Sequence, residues 1–433
     1  MGGGLMQLVA YGAQDIYLTG NPQITFFKVV YRRHTNFSME SIQQTWEGTF
    51  AGNGQGRCTA TIARNGDLVN RLYIEFNSRA LINDTANGVT TVGIFGDADI
   101  NNGPAQWINT VECEIGGQTI DRQTGAWMEA WAELTEPVIG LGKDAPNSRF
   151  QRMSAMGGTD IVGATGSGGD ENAAGALERG NIYVPLRFWF CENPGLALPL
   201  IALQYHEVKI IVDAKAPYSD QDPTENGDPQ LWADYIYLDT DERRRFAQVS
   251  HEYLITQIQY QDFSVTDTPA NQTCTLTFNH PVKELIWTGE FSAADSNGNG
   301  PDQTNGLFPA LTDGTYQLKL NGHDRFAERT RNYFTRQQVW QYHSGHGGLN
   351  STSTDGYGET PGGKGDTIAV YSFALKPEEH QPSGTCNFSR IDNAQLLLKG
   401  TTITTFSAIN TVYAVNYNVL RIMSGMGGLA YSN

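Results

Sequence analysis

Alternating apolar and polar residues recur along the chain and predict a protein built from antiparallel β-strands. Such alternation places one face of a strand in a core and the other face in solvent. Gly116-Gly117 and Asn321-Gly322 supply the positive φ angles that tight hairpin turns need. Helical periodicity is predicted for two short stretches, Thr124–Leu134 and Phe326–Trp340. The alternating segments are Arg71–Phe76, Val111–Ile115, Glu207–Val212, Tyr316–Leu320 and Tyr413–Val419.

Similar elements occur twice in the same order, which predicts two copies of one β-domain. An alternating strand, a glycine-containing hairpin and a short helix fall within residues 65–134, and the same order returns in residues 280–340. Between the halves lies an acidic segment rich in proline and glycine, a composition that favours a linker over packing. The predicted division is an N-terminal arm (1–25), a first β-domain (26–213), a linker (214–230) and a second β-domain with a C-terminal tail (231–433).

Composition and charge narrow the classes of function. The 433 residues include 46 Asp and Glu against 29 Lys and Arg, a formal net charge of −17, so direct binding of nucleic acid is not expected. Only 17% of the residues are charged, which excludes a disordered polyelectrolyte or a coiled coil. No segment approaches the ~20 consecutive apolar residues of a membrane-spanning helix. The five widely spaced cysteines, without a CxxC pair, predict buried free thiols.

No set of residues has the spacing of a catalytic, cofactor or metal site. His343 and His346 lie in a glycine-rich loop, but a third ligand is missing nearby, so no metal is expected. The loop Pro361–Asp366 has Gly365 where a phosphate-binding loop needs Ser or Thr after its lysine. No catalytic residue and no cofactor are therefore predicted. Three classes stay open: a shell protein, a carbohydrate-binding β-sandwich protein, for which Trp340–His343 is the nearest surface group, and a β-sandwich glycosidase.

Two further features concern the surface. Arg32 and Arg33 form a small basic spot, which on an acidic protein is better explained as a solvated strand end or a salt-bridge donor than as a phosphate or lipid contact. Five tripeptides have the N-glycosylation pattern Asn-x-Ser/Thr. The sequence shows no secretory signal, so most of them are expected to be chance occurrences. They begin at Asn36, Asn83, Asn271, Asn350 and Asn387.

Several long segments resemble one protein family. The run GGLMQLVAYGAQDIYLTGNPQITFFK, residues 3–28, closely resembles the start of the major capsid proteins of large icosahedral double-stranded DNA viruses of the phycodnavirus type, which infect algae. Residues 194–209 are similar to the last strand region of that family's first domain, and residues 234–255 to its passage into the second. Residues 381–393 and 418–430 complete the resemblance, which therefore covers both ends and the middle of the chain.

The resemblance implies an all-β fold, a double jelly roll of two tandem eight-stranded antiparallel β-sandwiches with a few short helices in loops. It implies a structural major capsid protein without catalysis, whose homotrimers form pseudo-hexagonal capsomers that tile an icosahedral shell. Implied partners are neighbouring capsomers, minor capsid and penton proteins and an internal viral membrane. Residence in the virion and assembly in the host cytoplasm are also implied. In that family the arm lies on the inner side, where Arg32 and Arg33 would meet these partners.

Overall fold

The computed structural model places the chain in two units, Met1–Asn36 and Phe37–Asn433. The first unit contains the short helix α1 (Asp15–Thr19), which buries no side chain, and exposes Tyr17, Phe26 and Phe27. The predicted arm, residues 1–25, falls within this unit. The structure describes residues 12–50, 55–76, 103–136, 148–157, 181–215, 229–265, 269–290, 308–345, 347, 366–400, 403 and 407–431.

Two antiparallel sheets form the first sandwich. The strands are β1 (Phe37–Gln44), β2 (Trp46–Glu47), β3 (Gly56–Thr61), β4 (Leu68–Phe76), β5 (Ile108–Ile115), β6 (Gln118–Thr124), β7 (Ile182–Pro185), β8 (Leu198–Pro199), β9 (Val208–Ala214) and β10 (Gln230–Leu238). One sheet has the order β1-β10-β4-β7, with β8 paired to β4, and the other has the order β2-β3-β9-β5-β6. Residues on alternate positions of these strands fill the space between the two sheets.

The place of β10 corrects the predicted domain boundary. This strand pairs with β1 on one side and with β4 on the other, so residues 230–238 belong to the first sandwich. The predicted linker, residues 214–230, therefore connects β9 to β10 within one sandwich, and its residues 216–228 lie outside the described ones. For the same reason residues 194–209 do not contain the last strand of that sandwich. A polar, proline-rich composition indicates an exposed connection, but it does not tell which strands that connection joins.

The second sandwich repeats the first. The strands are β11 (His251–Asp262), β12 (Asn271–Leu276), β13 (Pro281–Thr288), β14 (Gly314–Leu320), β15 (His323–Asp324), β16 (Arg329–Thr330), β17 (Ile368–Ser372), β18 (Cys386–Asn387), β19 (Ala394–Gly400), β20 (Thr411–Met423) and β21 (Met426–Leu429). The sheet orders are β11-β20-β13-β17 and β12-β19-β14-β15. Two antiparallel sheets in each half of the chain confirm the predicted double jelly roll. The remaining short strands pair at the ends and edges of these sheets.

Short helices connect the strands, as predicted. The helix α3 (Gly125–Thr135) matches the predicted Thr124–Leu134. The predicted Phe326–Trp340 begins too early, because Arg329–Thr330 pairs with β14. A π-helical turn, Tyr333–Gln337, leads into the helix α7 (Gln338–Tyr342), and residues 331–342 are helical throughout. Among the described residues, the α-helices of this unit are α2 (Gly103–Trp107), α3 (Gly125–Thr135), α4 (Arg149–Ser154), α5 (Trp189–Glu192), α6 (Thr240–Gln248) and α7 (Gln338–Tyr342).

The buried side chains form two large clusters. One fills the second sandwich, with Leu285, Trp287 and Val412. The other fills the first sandwich and continues onto the far face of the sheet β11-β20-β13-β17 through Ile286 and Tyr413. The two sandwiches therefore share one continuous apolar contact. All five cysteines are free, as predicted; three are buried, and Cys191 and Cys386 are partly buried.

Candidate assembly surfaces

The helix α3 joins the first sandwich to the second. Its N-cap residue is Thr124, whose hydroxyl accepts a hydrogen bond from the Trp127 backbone N–H at 3.1 Å. Trp127 and Trp131 are one turn apart, with ring centroids 5.2 Å apart. The Trp127 ring also lies 5.2 Å from the ring of Tyr413 in β20. Because Trp127 and Tyr413 are both buried, α3 covers the outer face of the second sandwich, the side of β11-β20-β13-β17 turned away from its own core.

A histidine held between two carboxylates reinforces this contact. His343 Nε2 lies 3.0 Å from Glu284 Oε2, and Nδ1 lies 3.1 Å from Glu378 Oε1. The Trp131 ring meets the imidazole edge-on, with centroids 6.1 Å apart. Burial by itself would lower the pKa of His343, but the charge of Glu284 and the hydrogen bonds to both carboxylates raise it to about 9. His343 is therefore protonated and doubly paired at neutral pH.

The structure separates the residues that the sequence analysis considered for metal or carbohydrate binding. His343 is buried between its carboxylates, whereas Trp340 is exposed, so Trp340–His343 does not form one continuous binding surface. His346 lies outside the described residues. Among the residues that the structure describes, no group of three or more His, Cys, Asp or Glu side chains is arranged to hold a metal ion.

The hairpin of β20 and β21 ties the second sandwich back to the first. The Gly427 N–H donates to His206 Nδ1 at 3.2 Å, and the Tyr205 N–H donates to the Gly425 carbonyl at 3.0 Å. A Cβ atom on Gly425 would lie 2.6 Å from Tyr205 Cδ2, and one on Gly427 would lie 2.7 Å from Leu203 Cδ2. Glycine is required here because only a backbone without side chains approaches this closely.

Buried hydrogen bonds form a third link between the sandwiches. The Ile258 N–H of β11 donates to Asp121 Oδ1 at 3.2 Å, and the Gln257 side-chain amide donates to the Ile120 carbonyl. The Gln123 side chain donates to Asp121 Oδ2 at 2.8 Å. Burial raises the pKa of Asp121 to about 6 despite these hydrogen bonds. Strands β6 and β11 are thus fixed in position by polar contacts as well as by apolar packing.

The corresponding face of the first sandwich carries a row of aromatic rings. These rings lie on the outer face of β1-β10-β4-β7. The ring centroid of Tyr73 is 6.0 Å from that of Tyr183 and 6.4 Å from that of Trp232, and the planes of Tyr73 and Trp232 differ by only 8°. Arg71 and Asp234 flank the row in register. Trp232 Nε1 has no hydrogen-bond partner among the described residues. A cavity of about 630 Å³ opens beside the row, lined in part by Tyr73, Tyr183 and Arg71.

The structure places the predicted surface residues as follows. Arg32, Arg33 and Asn36 are exposed in the first unit. Asn271 is exposed at the start of β12, and the exposed Asn387 accepts a hydrogen bond through its side chain from the Ser389 N–H at 3.1 Å. Asn83 and Asn350 lie outside the described residues. Within the described part of the chain, no helix is long and apolar enough to cross a membrane.

Comparison with known proteins gives concordant matches along the chain. The family model "Major capsid protein N-terminus" matches residues 25–239, and the model "Large eukaryotic DNA virus major capsid protein" matches residues 242–428. The chain is 48% identical to the major capsid protein of Pyramimonas orientalis virus and 41% identical to that of Paramecium bursaria Chlorella virus 1, over 100% of both chains in each case. A solved chain of the PBCV-1 virus capsid covers 94% of this chain and 100% of its own, with a TM-score of 0.68 and 33% identity.

Proposed function

Because the chain belongs to the family of large eukaryotic DNA virus major capsid proteins, we propose that three copies associate into a pseudo-hexagonal capsomer and that such capsomers tile an icosahedral shell. The protein is a structural component of the viral capsid and not an enzyme. One observation carries the proposal. Each chain contains two similar sandwiches held together by a shared apolar contact, so three chains supply six similar bodies for a hexagonal outline.

The partners of the capsomer follow from the same proposal. Neighbouring capsomers, minor capsid and penton proteins and an internal viral membrane are the proposed contacts, and assembly in the host cytoplasm is the proposed setting. Arg32 and Arg33 are exposed and basic on a chain of net charge −17, which suits an acidic neighbour or anionic head groups on the inner side. Reversing both charges is expected to lower capsid yield. Unchanged capsomer packing and yield would exclude this role.

Glycosylation is proposed at the Asn-x-Ser/Thr tripeptides, of which Asn36, Asn271 and Asn387 are exposed in the structure. The further tripeptides at Asn83 and Asn350 are included in the test. Intact mass spectrometry of protein from virions measures the attached mass, and Asn→Gln variants assign it to a site. A mass equal to that of the polypeptide would exclude glycans altogether.

The trimer is tested by light scattering of the purified protein on a sizing column, with negative-stain images of the peak. A mass near three chains of 47.5 kDa and a hexagonal outline are expected. A stable monomer at all concentrations would contradict the proposal that this chain forms capsomers without assistance.

A further inference from the structure

The cavity beside the aromatic row lies where the two sandwiches of one chain meet. Its volume is about 630 Å³, within the roughly 300–1,000 Å³ range of pockets that hold small molecules. The first sandwich contributes parts of β4, β7 and β10 and the C-terminal end of α3 to its wall. Glu378, in the connection that follows β17, comes from the second sandwich. Because one chain supplies all of these residues, the cavity is formed without a second copy.

Acidic side chains outnumber basic ones in the wall of this cavity. The acidic residues are Glu136, Glu192, Asp234 and Glu378, and the basic ones are Arg71 and Arg187. Partners offset the charge of most of the carboxylates. Glu136 accepts a hydrogen bond from Arg187 at 2.7 Å, and Glu378 Oε1 lies 3.1 Å from Nδ1 of the protonated His343. Asp234 faces Arg71 across the pairing of β4 with β10, which leaves the charge of Glu192.

Glu192 takes part in no ion pair among the described residues. Its side chain is accessible to water although protein atoms surround it, as expected for a group that lines a cavity, and it accepts a hydrogen bond from the Trp131 indole N–H. Burial raises the pKa of Glu192 against the charges of Arg187 and Lys283, both of which donate hydrogen bonds to other acceptors. A cation in the cavity would therefore stabilise this carboxylate.

The rest of the wall suits an organic cation. The rings of Trp131, Tyr73 and Tyr183 border the cavity, and aromatic faces attract ammonium groups. Methylene groups find apolar surface on Met153 and Pro185. The C-terminal end of α3 has no basic residue in its last turn, and the negative end of its helix dipole favours a cation. A compact metal ion fits less well, because no group of three or more acidic, His or Cys side chains among the described residues is arranged to hold one.

We propose that this cavity binds an aliphatic diamine or polyamine. One ammonium group pairs with Glu192 beside the Trp131 ring. The methylene chain lies against the apolar part of the wall and brings a second ammonium group within reach of the other carboxylates. Since α3 and Glu378 both line the cavity, the bound amine bridges the two sandwiches. The proposed trimer is not a premise of this inference, because a single chain forms the site.

The first test is equilibrium dialysis of the purified protein against labelled spermidine, at pH 8 and a salt concentration of about 0.15 M. The wild-type protein is expected to show one saturable site per chain. Glu192→Gln keeps an acceptor for the Trp131 indole N–H but removes the charge, so the dissociation constant is expected to rise at least about tenfold. Glu252→Gln is the matched control and is expected to keep the wild-type affinity, because Glu252 is an exposed carboxylate on β11 outside the cavity.

Further measurements separate a specific site from diffuse attraction to a chain of net charge −17. Excess Mg²⁺ is expected to leave the spermidine bound, and 1,7-heptanediol, an uncharged chain of similar length, is expected not to compete. Tyr183→Leu removes a partly buried ring from the wall and is expected to weaken binding by about threefold, which tests the site independently of Glu192→Gln. Absence of saturable binding, displacement by Mg²⁺, or wild-type affinity in both variants would overturn the site and leave the proposed capsomer standing.

Discussion

The pairing of His343 with Glu284 and Glu378 predicts that the protein loses stability at alkaline pH. The pKa of His343 is about 9 in the folded protein, against 6.5 for an ordinary histidine. Because the folded state binds this proton more tightly, the stabilisation is fully present below about pH 6.5 and is lost as the pH rises through about 9. The difference between the two pKa values corresponds to about 3 kcal/mol of unfolding free energy. This is a sizeable part of the ~5–15 kcal/mol that stabilises a typical domain.

The assay is urea unfolding followed by tryptophan fluorescence between pH 6 and 10, at one fixed chain concentration because association shifts apparent stability. The Trp131 ring beside His343 serves as a local reporter. His343→Gln keeps an N–H donor toward Glu284 but has no titrating ring. Between pH 6 and 10 the unfolding free energy of the wild type is therefore expected to fall by about 3 kcal/mol more than that of this variant. The exposed His323 supplies the control, and His323→Gln is expected to retain the wild-type pH profile. Parallel profiles for the wild type and His343→Gln would refute the argument.

The remaining predictions concern the junction between the sandwiches and the β5-β6 hairpin of the first sandwich. Trp127→Ala is expected to lower the unfolding free energy by about 3–5 kcal/mol, measured by chemical denaturation, and a loss below about 1 kcal/mol would contradict the proposed packing. The pKa of Asp121 is about 6 in the folded protein, against an ordinary value of 3.8. The unfolding free energy is therefore expected to decline by about 3 kcal/mol as the pH rises from 3.8 to 6. Asp121→Asn is therefore expected to raise the melting temperature at pH 7, and a lower one would count against it. Gly116 and Gly117 both have positive φ, but only a Cβ on Gly116 would meet His206, at 2.2 Å from its Nδ1. The melting temperature of Gly116→Ala is therefore expected to lie well below that of Gly117→Ala. Equal losses of melting temperature would be inconsistent with this clash.

Much of the fold follows from local patterns that the sequence displays. Gly116-Gly117 and Asn321-Gly322 adopt positive φ angles in equivalent hairpins, because the twist of paired strands demands them. The start of the helix 331–342 was missed, since the pairing of Arg329–Thr330 with β14 overrides helical periodicity. The linker prediction for residues 214–230 failed because loop composition reports exposure and not connectivity. Only the pairing of β10 with β1 and β4 shows that residues 214–230 connect two strands of the same sandwich.

The candidate surfaces were harder to predict because their parts are distant in the chain. Trp127 and Trp131 have the one-turn spacing of a packed aromatic pair, but nothing local identifies Tyr413 as their partner. His343 was considered as a loop residue with a weak metal-ligand pattern. Its two carboxylates, Glu284 and Glu378, come from other elements and turn it into a buried cation.

The hairpin of β20 and β21 has a consequence for synthesis. The hydrogen bond from the Gly427 N–H to His206 joins residues 221 positions apart, so the first sandwich leaves the ribosome long before this contact can form. During that interval Leu203, which is fully buried in the complete structure, lacks the cover that Gly427 provides. The residues of the other two links, Trp127 with Tyr413 and Asp121 with Ile258, are synthesised earlier, so the hairpin is the last of the three links between the sandwiches to become available.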